Sequence, residues 1–275
     1  MGLPAPPSLS QTGGGAWGSA GEADRVGVQG EAGGTVGDGS RVLILTNDDG
    51  VDAPGLAALY EAAAGLGHRR VVAPAGPWSG RGHAVTTHGP IRVTPRDGDR
   101  RAVDGTPADC VRLALHHLEP TAAWVLAGIN AGGNLGADIH HSGTVAAARE
   151  AVLHGRPAIA LSHYIARGRP LDWSVAARRA ARVLRLLLEE SWQPGTFWNV
   201  NLPHAEPGGP EPEVVLCPVD PSPLPLSFRV EGDVAHYDGD YQRRARVPAA
   251  DVDVCFGGRI AVSRVPLIPP GDVPS

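Results

Sequence analysis

The chain contains 275 residues with a formal net charge of −5, and it is 42 % hydrophobic and 19 % charged, with 37 Gly and 26 Pro. This composition indicates a globular protein rich in turns; it excludes collagen-like and coiled-coil architectures, because neither a Gly-x-y period nor a heptad repeat runs through the sequence. The negative charge argues against a nucleic-acid polymer as a partner, and no run of about 18 apolar residues is present for a membrane span.

The number and spacing of the cysteines indicate whether the protein lies in a reducing or an oxidising compartment. The three cysteines, Cys110, Cys217 and Cys255, are odd in number and far apart. This spacing fits neither a disulfide framework nor a zinc-binding pair, so a reducing compartment is expected. The N-terminus has no charged region followed by an apolar one, as a secretory signal would. The sequence therefore predicts a cytoplasmic protein.

The first 40 residues differ from the rest, because they hold 12 of the 37 glycines and their apolar residues have no period. We expect residues 1–40 to be a disordered, Gly-rich tail, or to precede the true start of the protein. From residue 41 to residue 203, short apolar runs alternate with amphipathic stretches, which predicts a Rossmann-like parallel-sheet core with helices on both faces. In chain order, strands are predicted over 42–45, 70–73, 91–94, 124–127, 158–161 and 197–201, and helices over 54–63, 108–118, 144–154 and 171–191.

Residues 204–275 contain 12 of the 26 prolines and only short β-prone pieces, over 214–217, 229–230 and 259–262. This pattern predicts β-hairpins and extended arms. Because isolated hairpins cannot bury themselves, the region must pack on the core or on another subunit, and we expect it to serve in oligomerisation.

The first candidate site follows the first predicted strand directly, as Asn47-Asp48-Asp49-Gly50. Ligands bind at the carboxyl ends of the strands in an open α/β sheet. Two adjacent carboxylates there repel each other unless a cation compensates them, and carboxylate oxygens suit Mg²⁺ or Mn²⁺. The alternative is a solvated Asp-Asp-Gly turn, which is the commoner meaning of this tripeptide alone.

Two further loops follow strands. The loop after the second strand is rich in Gly and contributes the Ser79 hydroxyl and His83, although either could be an ordinary loop residue. The loop after the 124–127 strand contributes the Asn130 carboxamide and then Ser142-Gly143-Thr144 at a helix start, which is an anion site as well as an N-cap. Two carboxylates, a hydroxyl, a carboxamide and a helix start together indicate a metal-assisted phosphate site.

These loops also carry a family resemblance. The stretches over 43–55, 72–74 with 79–86, 105–111 and 127–148, with 198–203 after them, resemble in order and spacing the signature blocks of the SurE family of metal-dependent 5'/3'-nucleotidases. There are departures, because His141 stands where the family usually has Tyr and Gly133 where Pro is frequent.

The resemblance implies one divalent cation per subunit, Mn²⁺ or Mg²⁺, held by Asp48, Asp49, Ser79 and Asn130. It places the phosphate against Asn47 and Ser142-Gly143-Thr144. It implies a phosphomonoesterase of the 5'-nucleotidase or acid-phosphatase type, with Asp48 and Asp49 as catalytic residues. A homodimer or homotetramer built through the C-terminal arms is also implied.

The residues leave several alternatives open. Attack on phosphorus could come from a water or from a carboxylate, and His83, His140 and His141 are candidates for the general acid by type alone. A haloacid-dehalogenase-type phosphatase needs Asp-x-Asp, which is absent here, and a dinucleotide-dependent oxidoreductase needs a Gly-x-Gly-x-x-Gly turn after the first strand. A non-catalytic nucleotide-binding or stress-response scaffold remains the principal alternative.

Overall fold

The structure, a computed structural model, describes residues 41–166, 168–204, 209–224 and 226–268. The predicted tail over 1–40 lies outside these residues. Within them, one sheet has nine strands in the order β3-β4-β2-β1-β5-β6-β7-β11-β8, all parallel to their neighbours except at β3–β4 and β7–β11. Its strands are β1 (Val42–Thr46), β2 (His68–Pro74), β3 (Val93–Pro95), β4 (Arg100–Val103), β5 (Trp124–Ala131), β6 (Ala158–His163), β7 (Thr196–Leu202), β8 (Val214–Leu216) and β11 (Ile260–Pro266).

Four helices cover the two faces of this sheet. Local sequence explains their starts: Pro54 occupies the first turn of α1, Thr106 and Asp109 form a capping box on α2, and Ser142 and Asp172 cap α3 and α4. Helices α1 and α4 pack on one face, and α2 and α3 pack on the other. The bounds are α1 (Pro54–Ala62), α2 (Pro107–Leu113), α3 (Gly143–Leu153) and α4 (Trp173–Leu187), with a short α5 (Asp251–Phe256) near the end of the chain.

The predicted α/β class with helices on both faces is confirmed, but several elements differ from expectation. The strand predicted over 91–94 is Val93–Pro95, and the helix predicted over 108–118 is α-helical only to Leu113 before a wider turn over Ala114–Leu118. Strand β4 was not predicted, because its first two residues are arginines that are only half-buried. Helix α5 was missed because six residues are too few to show a helical period.

The strand predicted over 124–127 is longer than expected. Strand β5 continues through Gly128 to Ala131, and its register with β6 shifts between Ala127 and Asn130. Gly128 adopts φ 137°, and a Cβ there would lie 2.2 Å from the backbone oxygen of Leu161. Glycine is therefore required for the close approach of β5 to β6. Asn130 thus lies within the irregular end of a strand and not in a free loop.

The region after residue 203 divides into two parts. Strands β8 and β11 extend the central sheet, whereas β9 (Phe228–Glu231) and β10 (Val234–Tyr237) form a separate antiparallel hairpin in which every residue is exposed. The predicted hairpin is therefore present, but part of the expected arm region belongs to the main sheet. The boundary at residue 203 and the oligomerisation role of residues 204–275 stay predictions.

None of the helices in the described part of the chain has the length and apolarity that crossing a membrane requires.

Candidate metal and phosphate site

The side chain of Asn47, the first residue of the loop after β1, stabilises that loop. The Nδ2 of Asn47 donates to the backbone oxygen of Gly50 at 2.9 Å, and the Gly50 N–H donates back to the Asn47 Oδ1 at 3.2 Å. Gly50 adopts φ 109°, which favours glycine. The sharp turn between them presents Asp48 and Asp49 at the carboxyl edge of the sheet. Asn47, predicted to contact phosphate, thus holds this turn with both ends of its amide.

Asp48 is joined to the start of helix α3. Its carboxylate is 4 % exposed overall and accepts hydrogen bonds from the hydroxyl and the backbone N–H of Thr144. A Cβ on Gly143 would lie 2.8 Å from the Cβ and Oδ2 of Asp48. Only glycine therefore lets the helix start approach the carboxylate this closely. The positive end of α3 is directed at Asp48 itself.

Asp49 lies next to the other residues that are predicted to bind the metal. The Ser79 hydroxyl donates to its Oδ1 at 3.4 Å, and the backbone N–H of Ala131 donates to the same carboxylate. Asn130 precedes Ala131, and its Nδ2 donates to the backbone oxygen of Gly132 at 2.8 Å, which leaves its Oδ1 as the remaining acceptor. The structure thus brings Asp48, Asp49 and Ser79 together and places Asn130 next to them.

The two carboxylates are electrostatically strained. Burial raises the pKa of Asp48, and repulsion from Asp49 adds to this, although the hydrogen bonds from Thr144 oppose it. Burial also raises the pKa of Asp49, against the hydrogen bonds from Ala131 and Ser79. No arginine or histidine in the described ranges pairs with either carboxylate. Ionised together, these groups need a cation.

The donor set fits a hard divalent cation. Two carboxylates, one hydroxyl and one carboxamide oxygen are ligands that Mg²⁺ and Mn²⁺ accept, and the uncompensated charge of the buried Asp48 and the partly buried Asp49 favours such an ion. Nothing in the set is a thiolate or an imidazole, so it is unsuited to a soft metal. Over the residues that the structure describes, no group of three or more His, Cys, Asp or Glu side chains is placed to bind a metal. The candidate site has only two such groups and depends on neutral oxygens for the rest.

The start of α3 offers fewer free donors than the sequence suggested. The Ser142 Oγ accepts from the N–H of Val145 at 3.0 Å and acts as an N-cap, and both donors of Thr144 are directed at Asp48. The Gly143 N–H and the Ser142 hydroxyl proton remain to meet an anion. Thr144, predicted as a phosphate ligand, is placed first of all to orient Asp48.

The three candidate general acids are separated. The Nε2 of His83 contacts the buried Glu150 on α3 at 2.6 Å, whereas His140 and His141 are exposed. Burial opposes ionisation of Glu150, but hydrogen bonds from His83 and His154 outweigh it and lower the pKa of Glu150. His83 therefore anchors the loop that carries Ser79 to α3. Reading the sequence missed Glu150, and only its apolar surroundings on the Ala-rich helix could have indicated it.

A buried polar network that the sequence analysis also missed supports the loop after β5. The Asn134 N–H donates to the Oδ1 of Asn201 at 2.8 Å, and the Asn134 Nδ2 donates to the Ser162 Oγ at 2.7 Å. Asn199 and Asn201 donate to the Asn134 backbone oxygen at 2.9 and 3.0 Å. The sequence signal for this network was a pair of asparagines, Asn199 and Asn201, at alternate positions of one buried strand, because buried polar groups need hydrogen-bond partners.

The C-terminal region packs behind the same loop. Arg244 donates to Asp138 at 2.8 Å, and the Tyr241 hydroxyl donates to the same carboxylate at 2.6 Å. Asp251, at the start of α5, accepts from the N–H of Gly136 at 2.9 Å. These contacts connect residues beyond 203 to the loop that leads into α3, so this part of the C-terminal region supports the site.

Comparisons with known proteins agree on one family. Residues 43–217 match the family described as Survival protein SurE. The chain is 52 % identical over 224 residues to a protein of Synechocystis sp. named "Putative 5'-nucleotidase alr3139", an alignment that covers 81 % of this chain and 98 % of the relative. It is 48 % identical over 164 residues to "5'-nucleotidase SurE" of Geotalea uraniireducens, covering 58 % of this chain and 65 % of that one. The solved structure of the SurE protein from Aquifex aeolicus is similar with a TM-score of 0.72 at 29 % identity, covering 84 % and 95 % of the two chains.

Proposed function

The chain belongs to the Survival protein SurE family, and on that premise we propose that it is a divalent-metal-dependent phosphomonoesterase that hydrolyses nucleoside 5'-monophosphates to nucleoside and phosphate. The observation that carries the proposal is the pair of adjacent carboxylates of Asp48 and Asp49, one of them joined to the start of α3 and the other to Ser79. Nucleoside 3'-monophosphates are a second substrate class that the same site could accept.

Each side chain has a role that follows from its contacts. Asp48, Asp49, Ser79 and Asn130 would hold one cation, Mg²⁺ or Mn²⁺, which when bound supplies charge neutralisation of the phosphoryl group and activation of a water. Thr144 holds the Asp48 carboxylate in one orientation. The second carboxylate is held by the Ser79 hydroxyl and the Ala131 amide.

The phosphate would be bound at the start of α3. The Gly143 N–H and the Ser142 hydroxyl are the donors that remain there, and the positive end of the helix dipole favours an anion. Asn47 reaches the phosphate through its second Nδ2 proton, because the first is used by Gly50. Of the candidate general acids His83, His140 and His141, His83 is the one that contacts a buried carboxylate, that of Glu150.

The test is phosphate release from a panel of nucleoside 5'- and 3'-monophosphates, with and without added Mn²⁺. We expect release only with the metal, and a loss of about 10³-fold in kcat/KM for Asp48→Asn, because charge neutralisation by a metal contributes several kcal/mol to the transition state. Asp104→Asn is the matched control, since Asp104 is exposed and lies outside the site. Full activity of Asp48→Asn contradicts the proposal. Binding of the nucleotides without any release would instead indicate the non-catalytic scaffold.

We also propose a homodimer or homotetramer that uses the β9–β10 hairpin. Phe228, Val230 and Tyr237 are 56, 67 and 60 % exposed and lie on one face of the hairpin, so this face presents a patch of large apolar side chains that a second copy could cover. Light scattering of the wild type and of Phe228→Ser/Val230→Ser tests this, and we expect a smaller particle for the variant. An unchanged mass contradicts the role of the hairpin. Truncation at residue 203 is a poorer test, because it removes β8 and β11 from the central sheet.

The cytoplasmic location stays a prediction. All three cysteines are free and buried, as expected for a reducing compartment.

A further inference from the structure

Helix α3 contacts two of the loops that carry predicted metal ligands. Thr144, in its first turn, is hydrogen-bonded to the Asp48 carboxylate of the loop after β1. Glu150, further along the same helix, accepts from the Nε2 of His83 in the loop after β2 at 2.6 Å. The loop after β2 also contains Ser79. One helix therefore holds the segments that supply two of the four predicted ligands.

The segment from Ser79 to His83 has few contacts with the rest of the chain. Ser79 is exposed, and the hydrogen bond from its hydroxyl to Asp49 is long, at 3.4 Å. A Cβ on Gly80 would meet no atom within 4 Å, so no packing surface lies against this part of the loop. The position of the Ser79 hydroxyl thus depends on how the ends of the segment are held.

Backbone hydrogen bonds anchor the chain on both sides of this segment. The Trp78 N–H donates to the Asp48 backbone oxygen at 2.7 Å, and the Ala84 backbone oxygen accepts from a hydroxyl at the start of α2 at 2.7 Å. Between these anchors the described chain has two side-chain hydrogen bonds, the long one from Ser79 and the short one from His83. The hydrogen bond of His83 is the one that joins the segment to α3.

Glu150 is itself held from three directions. Its side chain is 7 % exposed, and a lone carboxylate at such a position is unfavourable. Its Oε2 faces His83, whereas its Oε1 faces the Nε2 of His154 at 3.0 Å and the Nε of Arg112 on α2 at 3.6 Å. A carboxylate accepts on both oxygens, so these contacts fix Glu150 and, through it, the ring of His83.

We propose that Glu150 is a positioning residue of the metal site, which through His83 holds the loop after β2 so that the Ser79 hydroxyl stays within reach of the cation. His83 is the link between the helix and the loop. The proposal rests on the proposed function, which assigns a cation to the adjacent carboxylates and to Ser79. Because the same helix orients Asp48, α3 sets the distance between ligands that come from two different loops.

Other roles make different predictions. If the negative charge of Glu150 acts on the cation over a distance, Glu150→Gln and Glu150→Ala should weaken metal binding alike. If Glu150 only supports the fold, these variants should lower the free energy of unfolding without changing the metal affinity. If His83 acts only as a general acid, His83→Ala should lower kcat alone. A positioning role predicts weaker metal binding for Glu150→Ala but not for Glu150→Gln, because the amide oxygen still accepts from His83.

The experiment measures the affinity of the full chain for Mn²⁺ from the electron paramagnetic resonance signal of the free ion, with no substrate present. We expect Glu150→Ala and His83→Ala to bind Mn²⁺ about tenfold more weakly than the wild type, the lower end of the effect of groups that orient metal ligands. Glu150→Gln should stay within about threefold of the wild type. Equal affinity of Glu150→Ala and the wild type overturns the proposal, and so does an equal loss in Glu150→Gln and Glu150→Ala.

His154→Ala is the matched control, because His154 is hydrogen-bonded to the other carboxylate oxygen of Glu150 and not to the loop after β2. We expect it to bind Mn²⁺ within about twofold of the wild type. A tenfold loss in this control would show that any change around Glu150 disturbs the site, and it would overturn the assignment of the effect to the contact with His83.

The double variant Glu150→Ala/His83→Ala tests whether the two residues act through one contact. Residues that act through a shared contact are not additive, so the double variant should bind Mn²⁺ about tenfold more weakly than the wild type, like either single variant. A loss of about 100-fold, the product of the two single effects, would show that they act independently and would contradict the link through His83.

Hydrogen exchange of the metal-free protein gives a readout that does not depend on the cation. In Glu150→Ala and His83→Ala we expect faster exchange of the backbone amides over 79–86 and unchanged exchange over α4, because the lost contact releases the loop and not the core. Faster exchange throughout the chain would indicate a general loss of stability and would contradict the positioning role.

The Mn²⁺ measurement keeps this proposal distinguishable from the proposed function. Weaker Mn²⁺ binding by His83→Ala and Glu150→Ala supports the positioning role even where no phosphate is released from any nucleotide, which would overturn the hydrolytic function only. Unchanged Mn²⁺ affinity in both variants, with hydrolysis by the wild type intact, overturns the positioning role only. A wild type that binds no Mn²⁺ overturns both.

Discussion

The loops at the carboxyl edge of the sheet and the β9–β10 hairpin are both connections outside the regular core, yet they are held in opposite ways. In the loops, Asp48 is 4 % exposed and Thr144 0 %, and these two side chains are hydrogen-bonded to each other. In the hairpin, Val230 is 67 % exposed and the Phe228–Tyr237 ring pair is the aromatic contact across the strands. The candidate site is thus held by contacts within the described chain, whereas an isolated two-stranded hairpin gains stability only from what covers it.

Metal removal should have the largest effect, and it should act on the loops at the carboxyl edge of the sheet and not on the hairpin. Dialysis against a chelator leaves Asp48 and Asp49 uncompensated, and we expect phosphate release to fall by about 10³-fold and to return on addition of Mn²⁺. The Phe228→Ser/Val230→Ser variant should respond to the chelator as the wild type does. Phosphate release that is indifferent to the chelator would show that the two carboxylates work without a cation.

Gly143→Ala should have the next largest effect. The added Cβ would lie 2.8 Å from Asp48, so the start of α3 and the carboxylate must move apart. We expect kcat/KM to fall by about 10–100-fold, as for other disturbances of groups that orient metal ligands. Gly133→Ala is the control in the same loop, because the nearest atoms to its Cβ would be side-chain atoms, the Leu135 Cδ1 at 3.2 Å and the Tyr241 hydroxyl oxygen at 3.5 Å. A threefold or larger loss in the control would show that the whole loop, and not the contact with Asp48, is sensitive.

We expect the pH dependence of the free energy of unfolding to differ between the central sheet, which contains His163, and the β9–β10 hairpin, which contains His236. Burial lowers the pKa of His163, at the end of β6, to about 4, helped by the neighbouring His204 and Arg179. The folded state thus holds a neutral imidazole that the unfolded chain protonates below about pH 6.5. Stability from this group is complete above pH 6.5 and is lost as the pH falls towards 4, by about 2 kcal/mol at pH 5.

Denaturant unfolding at pH 7.5 and pH 5 measures this loss. His163→Gln should lack about 2 kcal/mol of the decrease that the wild type shows between the two values. His236→Gln, in the exposed hairpin, should match the wild type in its pH dependence. Identical pH dependence in all three proteins would show that His163 is not held neutral by burial.

The smallest effect is expected in the hairpin itself. Phe228 is 56 % exposed and Phe197, in β7, is 1 % exposed. In dilute protein, Phe228→Ala should lower the free energy of unfolding by less than about 0.5 kcal/mol, whereas Phe197→Ala should lower it by about 3–5 kcal/mol. Chemical denaturation measures both. A loss above 1 kcal/mol for Phe228→Ala in dilute protein would contradict this expectation, whereas a loss that appears only as the protein concentration rises is what the proposed interface between copies predicts.

Local pattern was enough to predict most strands and helices of the core, because buried parallel strands are continuous apolar runs and the helices carry Pro, Ser and Asp at their starts. It failed where the pattern is mixed or short. Strand β4 begins with Arg100 and Arg101, and α5 has six residues. Strands β8 and β11 were expected among the arms, because the pairing of β11 with β7 and of β8 with β11 depends on chain segments that local sequence does not relate.

In the candidate site too, local sequence predicted some features and did not predict others. The positions of Asp48, Asp49, Ser79, Asn130 and the start of α3 followed from their places after strands, since parallel strands bring their carboxyl ends to one edge. The contacts among them did not follow. That Thr144 is directed at Asp48 and His83 at Glu150 depends on the packing of α3 against the loops after β1 and β2. Side-chain direction across such contacts is set by the angle between elements, which no short pattern encodes.

Local periodicity and residue chemistry were sufficient to establish the class of fold, the edge of the sheet where the candidate site lies and the kinds of donor present there. Long-range packing sets which donors remain free, that a cavity lined by Asp49 and Trp173 opens beside them, and which C-terminal strands join the sheet. These features depend on distances between residues that lie far apart in the chain. Folding establishes such distances through packing, and no single segment contains them.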